Sequence, residues 1–434
     1  MYKLFYAVAL MLLFNCQGEK SKTTNNAQSK YGPIEKAVAE IDSLLKLDDR
    51  WFWGHDLYGP IIFIDPETRE FAANQNSSSG QFRKENTVYL GTLPDTYNIA
   101  NTAINWEGKR WTMVMLPLPT DQYARNNLII HELFHRIQPA IGFDSLQEIS
   151  NAHLDTYEAR VLLILELEAL KNALISEDIS EKNNHIKNAL NFRSARHISD
   201  KVKSAENALE MNEGLAEYTG AMLSGRSDAE MKLHFKSKIE NYYASSTFVR
   251  SFAYQTIPVY GFFLSKRTTA WQREITENTN LTDYFVRAFS AEISEDITFD
   301  SIIKMGGYDN DAIIEKEQNR ERNRLAKEEM LRKKYLEEPT LKLNFKKMNI
   351  SFNPANIIPL GELGTVYPTM RITDHWGILE VENGALLDAN WGFVMLSAPT
   401  LIEAETVTGD GWTLQLNEMW EVTTAKEQYQ LKKK

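Results

Sequence analysis

The sequence predicts an α+β protein, and three changes of pattern along its 434 residues carry that expectation. Short apolar runs broken by Pro, Gly and Asn fill residues 51–119, which reads as strands joined by turns. From Asp121 to about residue 305, apolar residues recur every three or four positions and so share one face of a helix. From Thr340 the period drops to two, again punctuated by Pro and Gly, as expected for an all-β region. The expected organisation is a mixed strand-and-helix domain over 32–310, a connecting helix over 311–338 and a β-rich domain over 339–434. A hydrophobic fraction of 43% is ample for cores of this size.

Taken in order, the first ordered element is a helix over Ile34–Leu47, where Ile34, Val38, Ile41, Leu44 and Leu45 keep helical spacing. Pro60 to Asp65 is a buried-strand pattern, and the polar stretch 74–80 is a loop. Ala103 to Trp111 reads as a hairpin turning at Glu107-Gly108, with a return strand to Leu116 that Pro117 and Pro119 end. Helical patterns follow over Asn127–Gln138 (stopped by Pro139), His153–Leu174, Asn183–Leu209, Met211–Gly220 and an aromatic-rich segment, Phe248–Leu264. Residues 311–338 form a charged helix with i,i+4 pairs Glu328/Arg332 and Glu329/Lys333, the pattern of a bridging or surface helix. Strands are expected at 341–345, 369–372, 377–381 and 391–396, making a sandwich or barrel.

The net charge of −11 argues against a general nucleic-acid binder, which needs a basic face. At the N-terminus, Lys3 precedes an apolar run from Leu4 to Phe14, too short to span a bilayer, and the run ends at Cys16, the single cysteine. This segment resembles a bacterial lipoprotein signal peptide, with Asn15 in place of the usual small residue. The resemblance implies cleavage, a lipid on Cys16, membrane attachment through it and a location in the bacterial cell envelope. Residues 17–31 then form a flexible polar tether.

The chemistry-bearing motif lies in the helix over 127–138. His131, Glu132 and His135 spell H-E-x-x-H, which places two imidazoles one turn apart on one face. Such a pair can bind one zinc ion, and the glutamate between them can reach a water on it as general base. Catalytic zinc takes a third protein ligand and keeps one position open. The H-E-x-x-H-x-x-G-x-x-H solution is excluded, because Gln138 and Ile141 stand at its Gly and third His positions. Two regions downstream compete for the third ligand: His153–Glu158, with Asp155 and Glu158, and Asn212–Tyr218, with Glu213.

Asn212, Glu213, Gly214, Ala216 and Tyr218 resemble the N-E-G-x-A-x-Y helix of zinc aminopeptidases, and the H-E-x-x-H motif with Pro139 is similar to that of glycyl aminopeptidases. Together they point to the gluzincin metallopeptidases. The resemblance implies a zincin-like domain with Glu213 as third ligand and with Glu217, four residues on, bonded to the first histidine. It also implies that the helices of residues 153–209 are inserted within the site. An oxyanion donor is implied on a later helix, for which Tyr254 and Tyr260 are the candidates, each with a core-aromatic alternative. By the same analogy, Thr112–Leu116 is the edge strand that pairs with a peptide or protein substrate. Arg160 and Arg250 are candidates for a substrate carboxylate or for structural ion pairs. A rival reading is a non-catalytic envelope lipoprotein that binds glycan or protein through its β domain.

Overall fold

The computed structural model describes residues 30–144, 146, 149–294, 297–305, 307–352, 357–425 and 428–434. The signal-like segment, Cys16 and the tether through residue 29 lie outside the described residues. The fold is α+β, as expected. The chain forms two compact units: one of residues up to Asn151, Ala169–Leu190 and His197–Ile293, the other of Ala152–Glu168, Asn191–Arg196 and Ser294–Lys434.

The first unit opens with α1 (Gly32–Asp48), whose Pro33 sits in the first turn and whose Ile34, Ala37, Ile41 and Leu45 form the buried stripe. Its sheet comprises β1 (Ile61–Ile64), β2 (Glu70–Ala73), β3 (Arg83–Glu85), β4 (Val88–Thr92), β5 (Thr102–Trp106) and β6 (Lys109–Met115). The order is β3-β4-β2-β1-β6-β5, with β1 and β6 parallel and every other pair antiparallel. The β5–β6 hairpin turns at Glu107-Gly108, both at positive φ (48° and 72°), the turn geometry whose twist matches paired strands. One sheet face carries an aromatic core that includes Phe71, Phe82 and Trp111.

One expectation is corrected here. Thr112–Leu116 is not an edge strand: β6 lies between β1 and β5, so its backbone groups are paired on both sides. The edge is β5.

The helices are α2 (Gln122–Ile137), α3 (Tyr157–Ile175), α4 (Ile179–Arg196), α5 (Asp200–Leu209), α6 (Leu215–Met222), α7 (Asp228–Tyr242) and α8 (Ala253–Ser265), with α9 (Leu281–Ala288) closing the first unit. Residues 183–209, read as one helix, are split at residues 197–199, where Ser199 accepts a hydrogen bond from Val202 N–H and caps α5.

In the second unit, α10 (Phe299–Met305) and α11 (Asn310–Leu336) precede two sheets. α11 is mostly exposed, as its charge pattern predicts, and buries Asn310, Glu317, Leu331 and Tyr335. Glu317 pairs with the buried Arg160 at 2.6 Å, and Arg160 also meets Asp155 at 3.3 Å. A seven-stranded sheet centred on Phe393–Ser397 and a six-stranded sheet centred on Trp412–Leu416 and Gly377–Val381 share one core, in which Leu343, Ile372, Trp376, Leu379, Leu396 and Leu414 are buried. This is a sandwich, not a barrel.

Candidate metal centre

α2 is fixed at its start by Asp121, whose carboxylate accepts the Ala124 N–H at 2.7 Å. Its second half is buried almost all round, and both His131 and Glu132 are 4% exposed. Polar side chains held so deeply need partners. The partners come from a second helical run. α5 continues without a break through a π turn, Glu210–Gly214, into α6. The helix bearing Glu213 therefore starts at Asp200, not near Asn212, and Glu213 sits in the π turn, a distortion often found at functional sites.

The run approaches α2 closely because Gly220 packs on it. A Cβ at Gly220 would lie 2.5 Å from the Asn127 carbonyl oxygen. At that separation Glu213 and Glu217, four residues apart on one face, grip the two nitrogens of a single imidazole. Glu213 Oε2 is 3.3 Å from His131 Nε2, and Glu217 Oε2 is 3.2 Å from His131 Nδ1. Glu217 also accepts from Asn127 Nδ2 at 3.1 Å and from Lys238 Nζ at 2.5 Å. His135 is held at Nδ1 by Gln138 Oε1 at 2.9 Å, and Gln138 in turn donates to Asn212 Oδ1 at 3.0 Å.

Three ligand atoms are left facing one point. His131 Nε2 and His135 Nε2 are 3.1 Å apart, and Glu213 Oε2 is 3.3 and 3.5 Å from them. Tetrahedral bonds of about 2.0–2.1 Å set ligand atoms roughly 3.3 Å apart, so this triangle has the size of one face of a metal's coordination shell. Among the described residues, these three form the group that could hold a metal ion. Glu132 Oε2 is buried with no hydrogen-bond partner. A buried carboxylate oxygen without a donor is costly unless something outside the protein supplies one. The residues present therefore fit a metal ion together with a water or substrate group beside Glu132.

The electrostatics follow from the same contacts. Burial works against a charge on His131, but hydrogen bonds to Glu213 and Glu217 outweigh it, and with these protein groups alone its pKa is pushed up to about 10. Burial would raise the pKa of Glu213, but His131 and His135 hold it well below the carboxylate range; for Glu217 the opposing groups are Lys238 and His131. Glu132 goes the other way: burial raises it against the pull of the two histidines. The Tyr254 phenol is raised by burial and by the neighbouring Glu213.

The structure separates the remaining candidates. Tyr254 donates its hydroxyl to Glu213 Oε2 and stacks on His131 at 5.5 Å. Tyr260, fully buried, stacks on Phe285 at 4.9 Å and does not line the cleft. Asp155 and Glu158 belong to the second unit and are outside the ligand group. Arg160 is a structural ion-pair partner, and Arg250 is exposed and off the cleft. The cleft has a volume of about 560 Å³, with Asn101, Thr102 and Ala103 at the start of edge strand β5 forming part of its wall.

Sequence reasoning missed four contributors. Gln138 was visible only as the residue that rules out a third histidine nearby, yet its place one turn after His135 is what lets it hold that ring. Asn127 and Lys238 carry no motif. Arg110 lines the cleft and donates to the carbonyls of His135 and Arg136 at 3.3 and 3.1 Å, satisfying the end of α2. No family model matches the chain, and comparisons with curated proteins and with solved structures find no significant match.

Proposed function

We propose that the protein is a zinc-dependent peptidase of gluzincin type, hydrolysing peptide bonds with Glu132 as general base. The observation that carries this reading is the buried, unpartnered Glu132 Oε2 beside three converging ligand atoms. His131, His135 and Glu213 would hold the ion, with Glu217 and Gln138 fixing the imidazole tautomers. Zinc bound there supplies Lewis acidity, polarising a carbonyl and bringing the pKa of water near neutrality.

Glu132 takes the proton of the attacking water at Oε2 and returns it to the leaving amine. Tyr254, its hydroxyl now on Glu213, turns to donate to the developing oxyanion. The unpaired edge of β5 offers backbone groups to an extended peptide, which supports a peptide over a compact substrate. Glu132, Glu213 and Glu217 account for the acidic groups described along the cleft, and all belong to the centre itself. With no further carboxylate among the described residues of the cleft to hold a free amine, the reading favours cleavage within a chain over removal of its N-terminal residue.

Metal analysis of the purified protein tests the ligand set. One zinc per chain in wild type and Glu132→Gln, with loss in Glu213→Ala, supports it; zinc retained in Glu213→Ala sinks it. Cleavage of a mixed peptide library by wild type, abolished in Glu132→Gln, supports the activity, and no cleavage by the zinc-loaded protein refutes it. The reading extends to a bacterial envelope protein anchored through a lipid on Cys16. Incorporation of labelled palmitate that disappears in Cys16→Ser supports the anchor, and equal labelling of both argues against it.

A further inference from the structure

The second unit carries a concavity of about 630 Å³ on the seven-stranded sheet, far in character from the metal centre. Its chemistry is one-sided. Among the described residues that line it there is no aspartate or glutamate, although the chain as a whole carries a net charge of −11. Lys342 and Lys346 line it, and neither makes an ion pair with a described residue. The Lys342 ammonium instead lies 3.6 Å from the centre of the Phe393 ring, which fixes its position without neutralising it.

Ring faces supply the second element. His375 and Trp420 meet edge to face at 5.0 Å, and Tyr429 lines the same wall. The geometry is built rather than incidental. Asp374 and Gly377 pair across a two-residue turn that presents His375 and Trp376. The Asp374 carboxylate holds that turn by accepting the backbone N–H groups of Lys346 and Lys347 at 2.8 and 3.1 Å, and it meets His375 Nδ1 at 2.9 Å. Asn344 and Gln430 add amide groups that both donate and accept, and Gln428, whose Oε1 accepts from Thr340 N–H and Oγ1, adds an amide donor.

We infer that this concavity binds an acidic oligosaccharide. Lysines without carboxylate partners select a negative charge, half-buried rings match the apolar faces of sugar rings, and side-chain amides match hydroxyl groups. An extended acidic peptide fits less well. Thr340–Asn344, which carries Lys342, is already paired on both sides, to Phe393–Ser397 and to Gln428–Lys433, so the strand bearing this lysine offers no open backbone edge for strand addition; the sheet's edge here is the Trp420 strand. The inference does not depend on the chemistry proposed for the first unit.

Isothermal titration of the full chain tests it with four probes: hexagalacturonate, a heparin hexasaccharide, maltohexaose and hexaglutamate. Binding of one or both acidic saccharides with at least tenfold preference over maltohexaose and hexaglutamate is expected. A preference for hexagalacturonate identifies a site for carboxylates alone, and a preference for the heparin hexasaccharide, which carries sulfates besides its carboxylates, identifies a site that takes sulfate. The Lys342→Ala/Lys346→Ala pair, on exposed positions, should weaken that binding at least tenfold with an unchanged melting temperature, and Trp420→Ala should weaken maltohexaose and hexagalacturonate alike. Failure of both acidic saccharides to bind overturns the inference. So does hexaglutamate binding as tightly as either, or affinity indifferent to the lysine pair.

Discussion

Replacing Gly220 by alanine puts a methyl group between α2 and α6, the two helices that build the candidate metal centre. An ideal Cβ there lies 2.5 Å from the Asn127 carbonyl oxygen and 3.2 Å from Asn127 Nδ2. Relaxed carbon–oxygen contacts begin near 3.3 Å, so the helices must part by roughly 0.8 Å at this point. Overpacking of this kind costs about 1–3 kcal/mol, of which alanine's better helix propensity returns up to about 1. The net loss of stability is therefore small, a melting temperature lower by a few degrees. The larger effect would fall on an ion held by His131, His135 and Glu213. His131 is held between Glu213 and Glu217 by contacts of 3.3 and 3.2 Å, and a displacement of that size loosens both. Loss of such supporting contacts weakens metal binding 10–100-fold. Zinc affinity by competition with a chromophoric chelator should thus fall about tenfold or more, with little change in helix content. Gly32→Ala is the control, since nothing lies within 4 Å of a Cβ there. A Gly220→Ala protein that melts at or above the wild-type temperature and binds zinc within twofold of it would refute the account of how α6 meets α2.

Two further outcomes follow from the same neighbourhood. Glu217→Gln removes the charge shared by His131 and Lys238 and should weaken zinc about 10–100-fold; adding Lys238→Met should restore stability, by removing a stranded charge, but not affinity, and recovery of affinity would overturn the assigned role of Glu217. His234 has an unpartnered Nε2, and burial, helped by Arg226 and Lys238 against Glu217 and Asp121, lowers its pKa to about 4. The unfolded chain therefore takes up the proton first, so this site favours the folded state fully above about pH 6.5 and progressively less as pH falls towards 4. At pH 5 the loss is at most about 2 kcal/mol. Urea midpoints at pH 7.5 and pH 5 should draw together in His234→Gln relative to wild type, and an unchanged gap would discount the residue.

Local geometry was readable wherever a short stretch determines it. The Glu107-Gly108 turn needs two residues at positive φ, and the sequence shows a glycine there between alternating strands. α1 follows from its apolar spacing, although Ala37 rather than Val38 completes the buried stripe, because a small side chain lets the helix sit close. Pairing partners were not readable. That β6 is central and β5 the edge depends on the parallel match of Ile61–Ile64 to Thr112–Met115, a long-range choice that neither strand announces. The break between α4 and α5 was hidden for a different reason: apolar spacing continues across it, and only Ser199, an ordinary N-cap residue, marks the restart.

The candidate metal centre divides along the same line. His131 and His135 follow from one turn of helix, a local fact. Nothing local requires Glu213 to reach them, and a chain could keep H-E-x-x-H on α2 without a third ligand. What brings Glu213 in is the fit of a second helix, and that fit rests on absent side chains. A Cβ at Gly214 would lie 2.6 Å from Ile257 Cγ1 on α8, as one at Gly220 would strike α2. The two glycines thus let one helical run pack against α8 and α2 at once, with the π turn between Glu210 and Gly214 setting the register in which Glu213 faces the histidines. Small residues at these two positions therefore set how closely Glu213 approaches the histidines. If Gly214→Ala and Gly220→Ala each cost zinc affinity while Glu132→Gln does not, the site is assembled by helix packing and only then used by its base.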